Sequence, residues 1–576
     1  MRGYRILLSA LAIFTLTGCL SHIPDSGSVS YGAEAYAPSS QNFVRTLVSP
    51  PAVGITPQGL IRGFLATIAG DQGDYSISRL YLAPEARDAW RPESEIRIYA
   101  DRLQSVYSRA PRESNVFVLS GSQVGTIDEQ GHYQRSVPGT VLFENFSLRQ
   151  VNGEWRISSL SDGIALSESD VARSYRQSNI YFLNISKRSL VPDPVYLPVN
   201  LGVSTALVRA LLAGPTKWLS PAVTTAIPFG TSLLVGSVPI EQGVARVDLS
   251  SPAGSISSSD RQAMSAQIVW TLKQLAEVAA VRITIGRVPL IVAGSGEAQS
   301  RFSYSNFSPD VLTGESPAYV IDDRGLSRIS SLLSKPTMTL VQSDESQEIR
   351  HFRAAAISLD GRSLAGITEA NSLVSGPLIG PFDLRITGAA DATWLPPSWD
   401  SDGNLWAARV LAGRTDVFLI TPEGRTIEVL AATLAKRNVQ SFRIARDGSR
   451  VAFAIGSGDS SRLFVARVTQ VGLGAEPKFR IEAPIEIPWT VGPIGLINWA
   501  DASDLTILTS SALRSIWKVS LDASEEINLA GIVSPMVLAA APGMPVLAVD
   551  GSGKLLALAG QSWLEIGTGR YPIYPG

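Results

Sequence analysis

The sequence contains a single cysteine, Cys19, among 576 residues and only three histidines: His22, His132 and His351. One thiol cannot form a disulfide within the chain, so hydrophobic cores must supply the stability that small secreted domains take from disulfides. No two histidines have the spacing of helical metal ligands, and the G-x-S-x-G motif of serine hydrolases does not occur. The sequence therefore predicts no metal, no cofactor and no catalytic residue.

Charge is also scarce. Charged residues make up 17% of the chain, and the formal net charge is −2, which is too small to indicate a nucleic-acid partner. Apolar residues make up 45% of the chain, enough for several cores, and the length predicts three or four domains. No apolar run after the first 17 residues reaches the ~18 residues that a membrane-spanning helix needs.

Residues 1–18 have the pattern of a bacterial export signal. Arg2 and Arg5 precede a mostly apolar, uncharged run that is too short to span a bilayer. Leu16-Thr17-Gly18-Cys19 then resembles the lipobox of bacterial lipoproteins. That resemblance implies that the Cys19 sulfur receives a diacylglycerol, that the Gly18–Cys19 bond is cleaved, and that the new amino terminus is acylated. The alternative is a secreted protein that loses Cys19 with its signal.

The polar residues 19–55, rich in Ser, Pro, Gly and Ala, predict a lipidated flexible tether. Residues 56–175 predict an α+β domain. Thr56-Pro57 begins a helix that ends at Gly70, and Asn152-Gly153 marks a hairpin between two later strands. Helices followed by a strand meander predict a curved sheet on helices, and residues 153–157 resemble the last strand of nuclear-transport-factor-like cones.

Residues 176–295 predict an α/β domain. We expect a helix capped by Ser204, and a second helix opened by a capping box at Ser259–Gln262. The stripe expected to be buried on the second helix consists of Met264, Ile268, Leu272, Leu275 and Ala279. The motifs at 211–215 and 226–231 resemble the GerM-type extracytoplasmic domain.

Residues 305–576 are repetitive. An Asp-Gly pair precedes an apolar strand at Gly361, Gly403 and Gly448, and the later repeats are spaced more widely. A period of roughly 40–50 residues with several short strands indicates a β-propeller, in which Asp-Gly forms a tight turn within each blade. The repeats favour six blades, with five to seven left open, and Asp323–Gly325 marks a possible earlier blade.

Lipobox, tether, cone-like domain, GerM-type domain and propeller, in that order, resemble the actinobacterial LpqB lipoprotein family over nearly the whole chain. The resemblance implies a lipid-anchored protein on the outer face of the cytoplasmic membrane. It also implies that the partner is the extracytoplasmic domain of the sensor histidine kinase of the Mtr two-component system, linked to cell-wall and morphology control. Apart from the lipobox, no residue role follows from it.

Three further features have structural alternatives. Gly551–Lys554 is similar to the end of a phosphate loop but lacks its other residues, and Asp400–Asn404 is similar to a calcium loop without its final acid. For both segments, a turn within a propeller blade is the preferred interpretation. Six tryptophans either form a sugar-binding face or pack between blades: Trp394, Trp399, Trp406, Trp489, Trp499 and Trp517.

Three functions thus remain as hypotheses. The preferred one is a non-catalytic protein that binds a sensor kinase. The second is a sensor of cell-wall glycan or peptidoglycan fragments, and the third is a hydrolase with its site at the mouth of the propeller, where several blades converge.

We predict that Cys19→Ala releases the protein from the membrane, because Cys19 is the only candidate for lipid attachment and two or three acyl chains give durable anchoring. Membrane fractionation with metabolic lipid labelling tests this. Unchanged membrane retention of the variant, with no lipid label on the wild type, would contradict the prediction.

Overall fold

The computed structural model describes residues 49–70, 75–101, 105–108, 115–137, 139–199, 202–312, 316–343, 348–387, 391–472, 477–522 and 525–576. The signal peptide, Gly18, Cys19, His22 and all but the last residues of the expected tether lie outside these ranges. Within them, no helix has both the length and the apolar character needed to cross a membrane.

The first domain is a mixed sheet packed on short helices. The helices are Pro57–Gly70 (α1), Ser76–Arg79 (α2), Pro84–Ala89 (α3) and Glu168–Ser174 (α4). The strands are Glu95–Tyr99 (β1), Ser105–Ser108 (β2), Val116–Asp128 (β3), Tyr133–Arg135 (β4), Val141–Val151 (β5), Glu154–Ser159 (β6) and Ile164–Ser167 (β7). Sheet order is β6-β5-β3-β1-β7, with β2 and β4 also paired to β3.

Two local predictions for this domain are confirmed. The Thr56 hydroxyl oxygen accepts a hydrogen bond from the Gly59 backbone N–H at 3.1 Å, as an N-cap does. Asn152 and Gly153 take φ values of 53° and 80° between β5 and β6, so both adopt the left-handed conformation that a type I′ turn requires.

The second domain, the GerM-type domain, contains two helices and two sheets, and its longer helix packs between the sheets. Its strands are Tyr175–Asn184 (β8), Leu190–Pro198 (β9), Val223–Thr224 (β10), Ile240–Glu241 (β11), Val244–Leu249 (β12), Ala280–Ile285 (β13), Val288–Pro289 (β14) and Ala298–Gln299 (β15). Its helices are Val203–Ala213 (α5) and Ser258–Leu272 (α6). One sheet has the order β10-β8-β9; the other is β11-β12-β13-β14, with β15 also on β13.

Both predicted helix caps in this domain are wrong. The N-cap of α5 is Gly202, and no side chain makes a capping hydrogen bond there. The Ser204 hydroxyl donates to the Val238 carbonyl instead. The N-cap of α6 is Ser257, two residues before Ser259, and its hydroxyl oxygen accepts from the Asp260 backbone N–H at 3.1 Å.

The predicted stripe on α6 is also only partly correct. Met264, Ile268 and Leu272 are buried, whereas Leu275 and Ala279 follow the end of the helix and Ala279 is exposed. Residues 263–272 are buried on every side because α6 packs between the two sheets, so no polar face marks its orientation in the sequence.

The propeller follows. Within the described part of residues 318–573, its strands form six sheets, the blade number that the repeats favour. Blade 1 begins with Ala318–Asp322 (β16), Gly325–Ser330 (β17) and Thr337–Ser343 (β18); blade 2 has Ala354–Ile357 (β19), Ser363–Ile367 (β20), Ser372–Pro377 (β21) and Leu384–Thr387 (β22). Blade 3 has Thr393–Trp394 (β23), Ser398–Trp399 (β24), Leu405–Leu411 (β25), Arg414–Ile420 (β26) and Thr426–Val429 (β27).

Blade 4 has Val439–Ile444 (β28), Arg450–Ile455 (β29), Arg462–Val471 (β30) and Lys478–Ile487 (β31). Blade 5 has Ile494–Trp499 (β32), Asp504–Thr509 (β33), Ile516–Ser520 (β34) and Glu526–Asn528 (β35). Blade 6 has Pro535–Ala539 (β36), Leu547–Asp550 (β37), Lys554–Ala559 (β38) and Ser562–Thr568 (β39), and Tyr571–Ile573 (β40) ends the chain of strands.

Strand β40 closes the ring. It pairs antiparallel with β16, so the first blade takes its innermost strand from the carboxyl end of the sequence and its other three from the amino end. The innermost strands β40, β19, β24, β28, β32 and β36 contact one another in that order around the central channel.

The Asp-Gly repeats occupy two different turns. Gly361, Gly403 and Gly448 lie between the first and second strands of blades 2, 3 and 4, counted outward from the channel. The turns at 323–325 and 550–553 join the second and third strands of blades 1 and 6. This shift by one strand lengthens the spacing before the last repeat.

We predict that removal of residues 571–576 opens the ring. Without β40, the β16 edge loses its partner, and an unpaired strand edge promotes aggregation. Size-exclusion chromatography and calorimetry should show aggregation and loss of one cooperative transition. The larger deletion from Gly531 onward should behave in the same way, and a soluble, cooperatively unfolding product of either deletion would argue against closure.

Candidate functional site

The contact between the GerM-type domain and the propeller is built around one buried amide. Asn184, at the end of β8, is 2% exposed. Its Oδ1 accepts from the backbone N–H groups of Arg188 (2.8 Å) and Ser189 (3.2 Å). Its Nδ2 donates to Ser401 Oγ and to the Asp447 carbonyl oxygen, each at 3.2 Å. One side chain therefore fixes the β8–β9 turn and joins it to blades 3 and 4.

The two propeller turns that receive Asn184 are themselves fixed by buried carboxylates. Asp400 accepts from the backbone N–H groups of Asp402 and Asn404, from the Asn404 amide and from Trp406 Nε1, all at 2.8–3.0 Å. The predicted calcium-loop alternative thus resolves to a blade turn, because protein donors occupy both carboxylate oxygens. Burial raises the pKa of Asp400 to about 6 despite these hydrogen bonds.

In blade 4, Asp447 pairs with the buried guanidinium of Arg450, and its Oδ1 accepts from the Ser449 backbone N–H at 2.7 Å. The Arg450 guanidinium carbon lies 5.2 Å from the centre of the Trp499 ring. With its carboxylate held in this way, Asp447 presents its backbone oxygen to Asn184.

A second contact inserts an indole from the GerM-type domain. Trp218 Nε1 donates to the Ala483 carbonyl at 2.7 Å, and the Trp218 carbonyl accepts from Arg467 Nη1 at 2.7 Å. The ring packs against the apolar cluster of blades 4 and 5 that includes Trp489 and Trp517. Apolar burial is thereby added to the polar contacts of Asn184.

Tyr196, on β9, touches all three domains. Its hydroxyl donates to Asp522 Oδ2 of blade 5 at 2.6 Å. Its backbone N–H donates to the Gly131 carbonyl of the first domain, and its ring lies 5.5 Å from the Tyr133 ring. Burial, and then the Asp522 carboxylate, raise the pKa of Tyr196, so its hydroxyl remains a donor at neutral pH.

Charged side chains line a small cavity where the GerM-type domain meets the propeller. Asp310, from the segment that joins the two domains, accepts from the Ala502 backbone N–H at 3.3 Å. The cavity between Asp310, Arg446 and Asp501 measures about 10 Å³, which is space for about one water molecule. Burial raises the pKa of Asp310, and burial together with Asp310 raises that of Asp501.

The remaining sequence candidates have structural partners. His132 Nδ1 lies 3.0 Å from Asp128 Oδ2 and His351 Nδ1 lies 3.3 Å from Glu369 Oε1, in different domains. Among the residues that the structure describes, no group of three or more His, Cys, Asp or Glu side chains is arranged to hold a metal. Lys554, in the turn similar to a phosphate loop, pairs with Glu565 at 2.7 Å.

The tryptophans do not form a sugar-binding face. Four of the six are at most 6% exposed and pack within or between blades: Trp394, Trp399, Trp406 and Trp499. Trp489 and Trp517 are partly buried, meet edge to face at 6.4 Å, and border the Trp218 contact. The packing alternative is therefore correct for this set.

An exposed apolar surface lies at the carboxyl ends of β12 and β13 in the GerM-type domain. We call it the apolar rim and define it by four side chains that are 48–104% exposed: Phe229, Leu234, Val235 and Val288. Phe229 is fully exposed in the turn from Pro228 to Thr231. Its position between Pro228 and Gly230 is the sequence signal that could have identified it, because such a turn directs side chains away from the core.

Asp248 joins the two loops of the apolar rim. Its carbonyl accepts from the Leu234 backbone N–H at 2.8 Å. Its Oδ1 accepts from the Arg287 backbone N–H at 3.0 Å and from the Thr284 hydroxyl at 2.7 Å. The loop that carries Phe229 and the β13–β14 hairpin that carries Val288 are therefore held at the same end of the sheet.

We predict that Asn184→Ala separates the GerM-type domain from the propeller. The substitution leaves buried N–H and C=O groups unpaired, which should lower the free energy of unfolding by about 2–4 kcal/mol. Calorimetry should then show an earlier transition for the GerM-type domain. Asn438→Ala, at an exposed position, is the matched control and should change stability by less than about 0.5 kcal/mol. An unchanged transition in the Asn184 variant would contradict the prediction.

Family models match all three domains. "Lipoprotein LpqB, N-terminal domain" matches residues 50–172, "Sporulation and spore germination" matches residues 179–290, and "Lipoprotein LpqB beta-propeller domain" matches residues 340–575. These matches occur along the chain in the same order as the domains described above.

Full-length relatives give the same result. Lipoprotein LpqB of Thermobifida fusca is 29% identical over 97% of both chains. Lipoprotein LpqB of Streptomyces avermitilis is 27% identical over 97% of this chain and 96% of its own. Lipoprotein LpqB of Mycobacterium leprae is 25% identical over the whole length of both. With all three domains matched in order and relatives aligned almost end to end, the chain belongs to the LpqB lipoprotein family.

Proposed function

We propose that this protein is a non-catalytic, lipid-anchored interaction protein on the outer face of the cytoplasmic membrane. Its partner is the extracytoplasmic domain of the Mtr sensor histidine kinase, whose output it modulates. Lipidated Cys19 holds it at the membrane, and the apolar rim of the GerM-type domain is the surface that docks. The observation that carries the proposal is the exposure of this rim on a rigidly held domain.

An exposed apolar cluster of this kind supports a docking role. Single exposed apolar residues are common on soluble proteins, but contiguous ones mark interaction sites. Phe229 exposes its whole ring, and buried aromatic anchors at the centre of an interface carry much of its binding energy. Leu234 and Val288 lie in or next to the two loops that Asp248 joins at the same end of the sheet.

The rigid attachment of the GerM-type domain also favours docking. Asn184, Trp218 and Tyr196 fix it to the propeller by hydrogen bonds at 2.6–3.2 Å. A surface that is ordered before binding loses little conformational entropy on association, so more of its contact energy appears as affinity. A partner that buries about 800 Å² on each side would suffice for a specific complex.

We predict that Phe229→Ser with Leu234→Ser weakens binding of the detergent-solubilised lipoprotein to the purified extracytoplasmic domain of the kinase. Loss of two apolar anchors should reduce affinity at least about tenfold, measured by biolayer interferometry. Kinase output in cells should change as it does when the lipoprotein is removed.

Phe302→Ser is the matched control. Phe302 is 92% exposed and lies in the 3₁₀ segment Arg301–Phe307. Tyr304 of that segment accepts from Trp270 near the end of α6, at the opposite end of the domain from the apolar rim. The control should bind like the wild type. Equal loss in both variants, or no binding by the wild type, would overturn the proposal.

A further inference from the structure

Blade 4 carries a groove that none of the roles above uses. Its walls are the connection between blades 3 and 4, residues 430–438, and the outer half of one face of blade 4. We call it the interblade groove and define it by Thr433, Lys436, Arg437, Ser460, Arg462 and Phe464. It encloses about 490 Å³, within the range of roughly 300–1,000 Å³ found for small-ligand sites.

The apolar base of the groove follows from strand pairing in blade 4. Phe453 on β29 is the register partner of Phe464 on β30, which is opposite Glu486 on β31. The two phenylalanine rings stack with centroids 5.4 Å apart and planes 14° from parallel. Phe453 is buried, while Phe464 stays partly exposed. Ile455, the next residue on this face of β29, extends the apolar base.

The opposite wall is held by one buried leucine. Leu434 is completely buried in the cluster between blades 3 and 4. The Arg437 backbone N–H donates to the Leu434 carbonyl at 2.9 Å, and the Arg437 carbonyl accepts from the Thr415 hydroxyl at 2.8 Å. The backbone at Lys436 and Arg437 is therefore fixed at the groove, although both side chains are exposed.

The described side chains of the groove carry more positive than negative charge. Arg462 is already paired with Glu486 and lies over the Phe464 ring at 5.3 Å. Among the described side chains, no acidic group is within ion-pair distance of Lys436 or Arg437. Two adjacent cations that no described side chain neutralises, next to an apolar base and two hydroxyls, form a recognition pattern for an anion attached to an apolar ring.

We propose that the interblade groove binds an acidic sugar, a pyranose that carries a carboxylate or phosphate group. Lys436 and Arg437 hold the anion, the hydrocarbon face of the ring rests on Ile455 and Phe464, and Thr433 and Ser460 bond to ring hydroxyls. The volume favours a single small ligand over a peptide strand, and the paired hydroxyls favour a hydroxylated ring. The site does not depend on kinase binding, because the apolar rim belongs to another domain.

Titration calorimetry on the full chain in non-ionic detergent tests this with matched probes. N-acetylmuramic acid is compared with N-acetylglucosamine, which lacks its carboxylate, and glucose 6-phosphate with glucose. We expect at least one acidic sugar to bind at least about tenfold more tightly than its neutral counterpart. The two pairs show whether the favoured anion is a carboxylate or a phosphate. Hydrogen exchange in residues 430–438 should slow with the ligand that binds.

The variant Lys436→Glu with Arg437→Glu should lose that binding, since both changes lie at exposed side chains. The control is Arg328→Glu with Lys335→Glu, an equal charge change at exposed positions of blade 1, across the ring. It should bind like the wild type.

Three results would overturn the proposal: equal binding of acidic and neutral sugars, unchanged binding by the Lys436 and Arg437 variant, or inorganic phosphate binding as well as glucose 6-phosphate. Tighter binding of a short poly-glutamate peptide than of any acidic sugar would assign the groove to acidic protein segments instead.

Discussion

Closure of the propeller by β40 is the constraint on which the rest of the structure depends. Closure places the last residues of the chain beside the channel, where the backbone oxygen of Gly576 accepts from Arg443 and that of Pro575 accepts from Arg446. Arg446 also donates to the carbonyls of Trp499 and Ala540. Burial lowers the pKa of both guanidinium groups, so each needs such oxygen acceptors. The residues that follow the closing strand are thus joined to blade 4 by two buried donors, one of which also reaches blades 5 and 6.

The turns that define the repeat also receive the neighbouring domain. The turn between the two innermost strands contacts the GerM-type domain in blade 3 through Ser401, in blade 4 through Asp447, and in blade 5 through Ser503, whose Oγ accepts from Asn179 at 3.3 Å. Because these turns are equivalent around the ring, they emerge at one mouth. A domain placed there can contact three blades at once.

Two features of short sequence range were predictable, whereas the caps of α5 and α6 and the features that depend on packing between domains were not. The Asn152-Gly153 hairpin and the Thr56 cap are decided by residues within a few positions of each other. The end of α6 could not be predicted in this way, because a helix that is buried on all sides lacks the alternation of polar and apolar residues that indicates helix length. Asn184 resembles any polar residue at the end of a strand, and its role depends on Ser401 and Asp447, more than 200 residues away. Lys436 and Arg437 likewise become a pair at a groove only when Leu434 is buried between blades 3 and 4.

Because the chain has only one cysteine, interactions other than disulfides must fix the turns that hold the GerM-type domain. Buried ion pairs are weak evidence for stability, because desolvation of both charges offsets most of their attraction. The Asp447–Arg450 pair is buried, yet its clearest effect is geometric: it holds the turn so that the Asp447 carbonyl meets Asn184. Asp400 does the same for the turn of Ser401 through four hydrogen bonds, even though burial favours its neutral form. In a chain without disulfides, ring closure and these satisfied buried charges together hold the GerM-type domain in one orientation, so its apolar rim is presented on a rigid body.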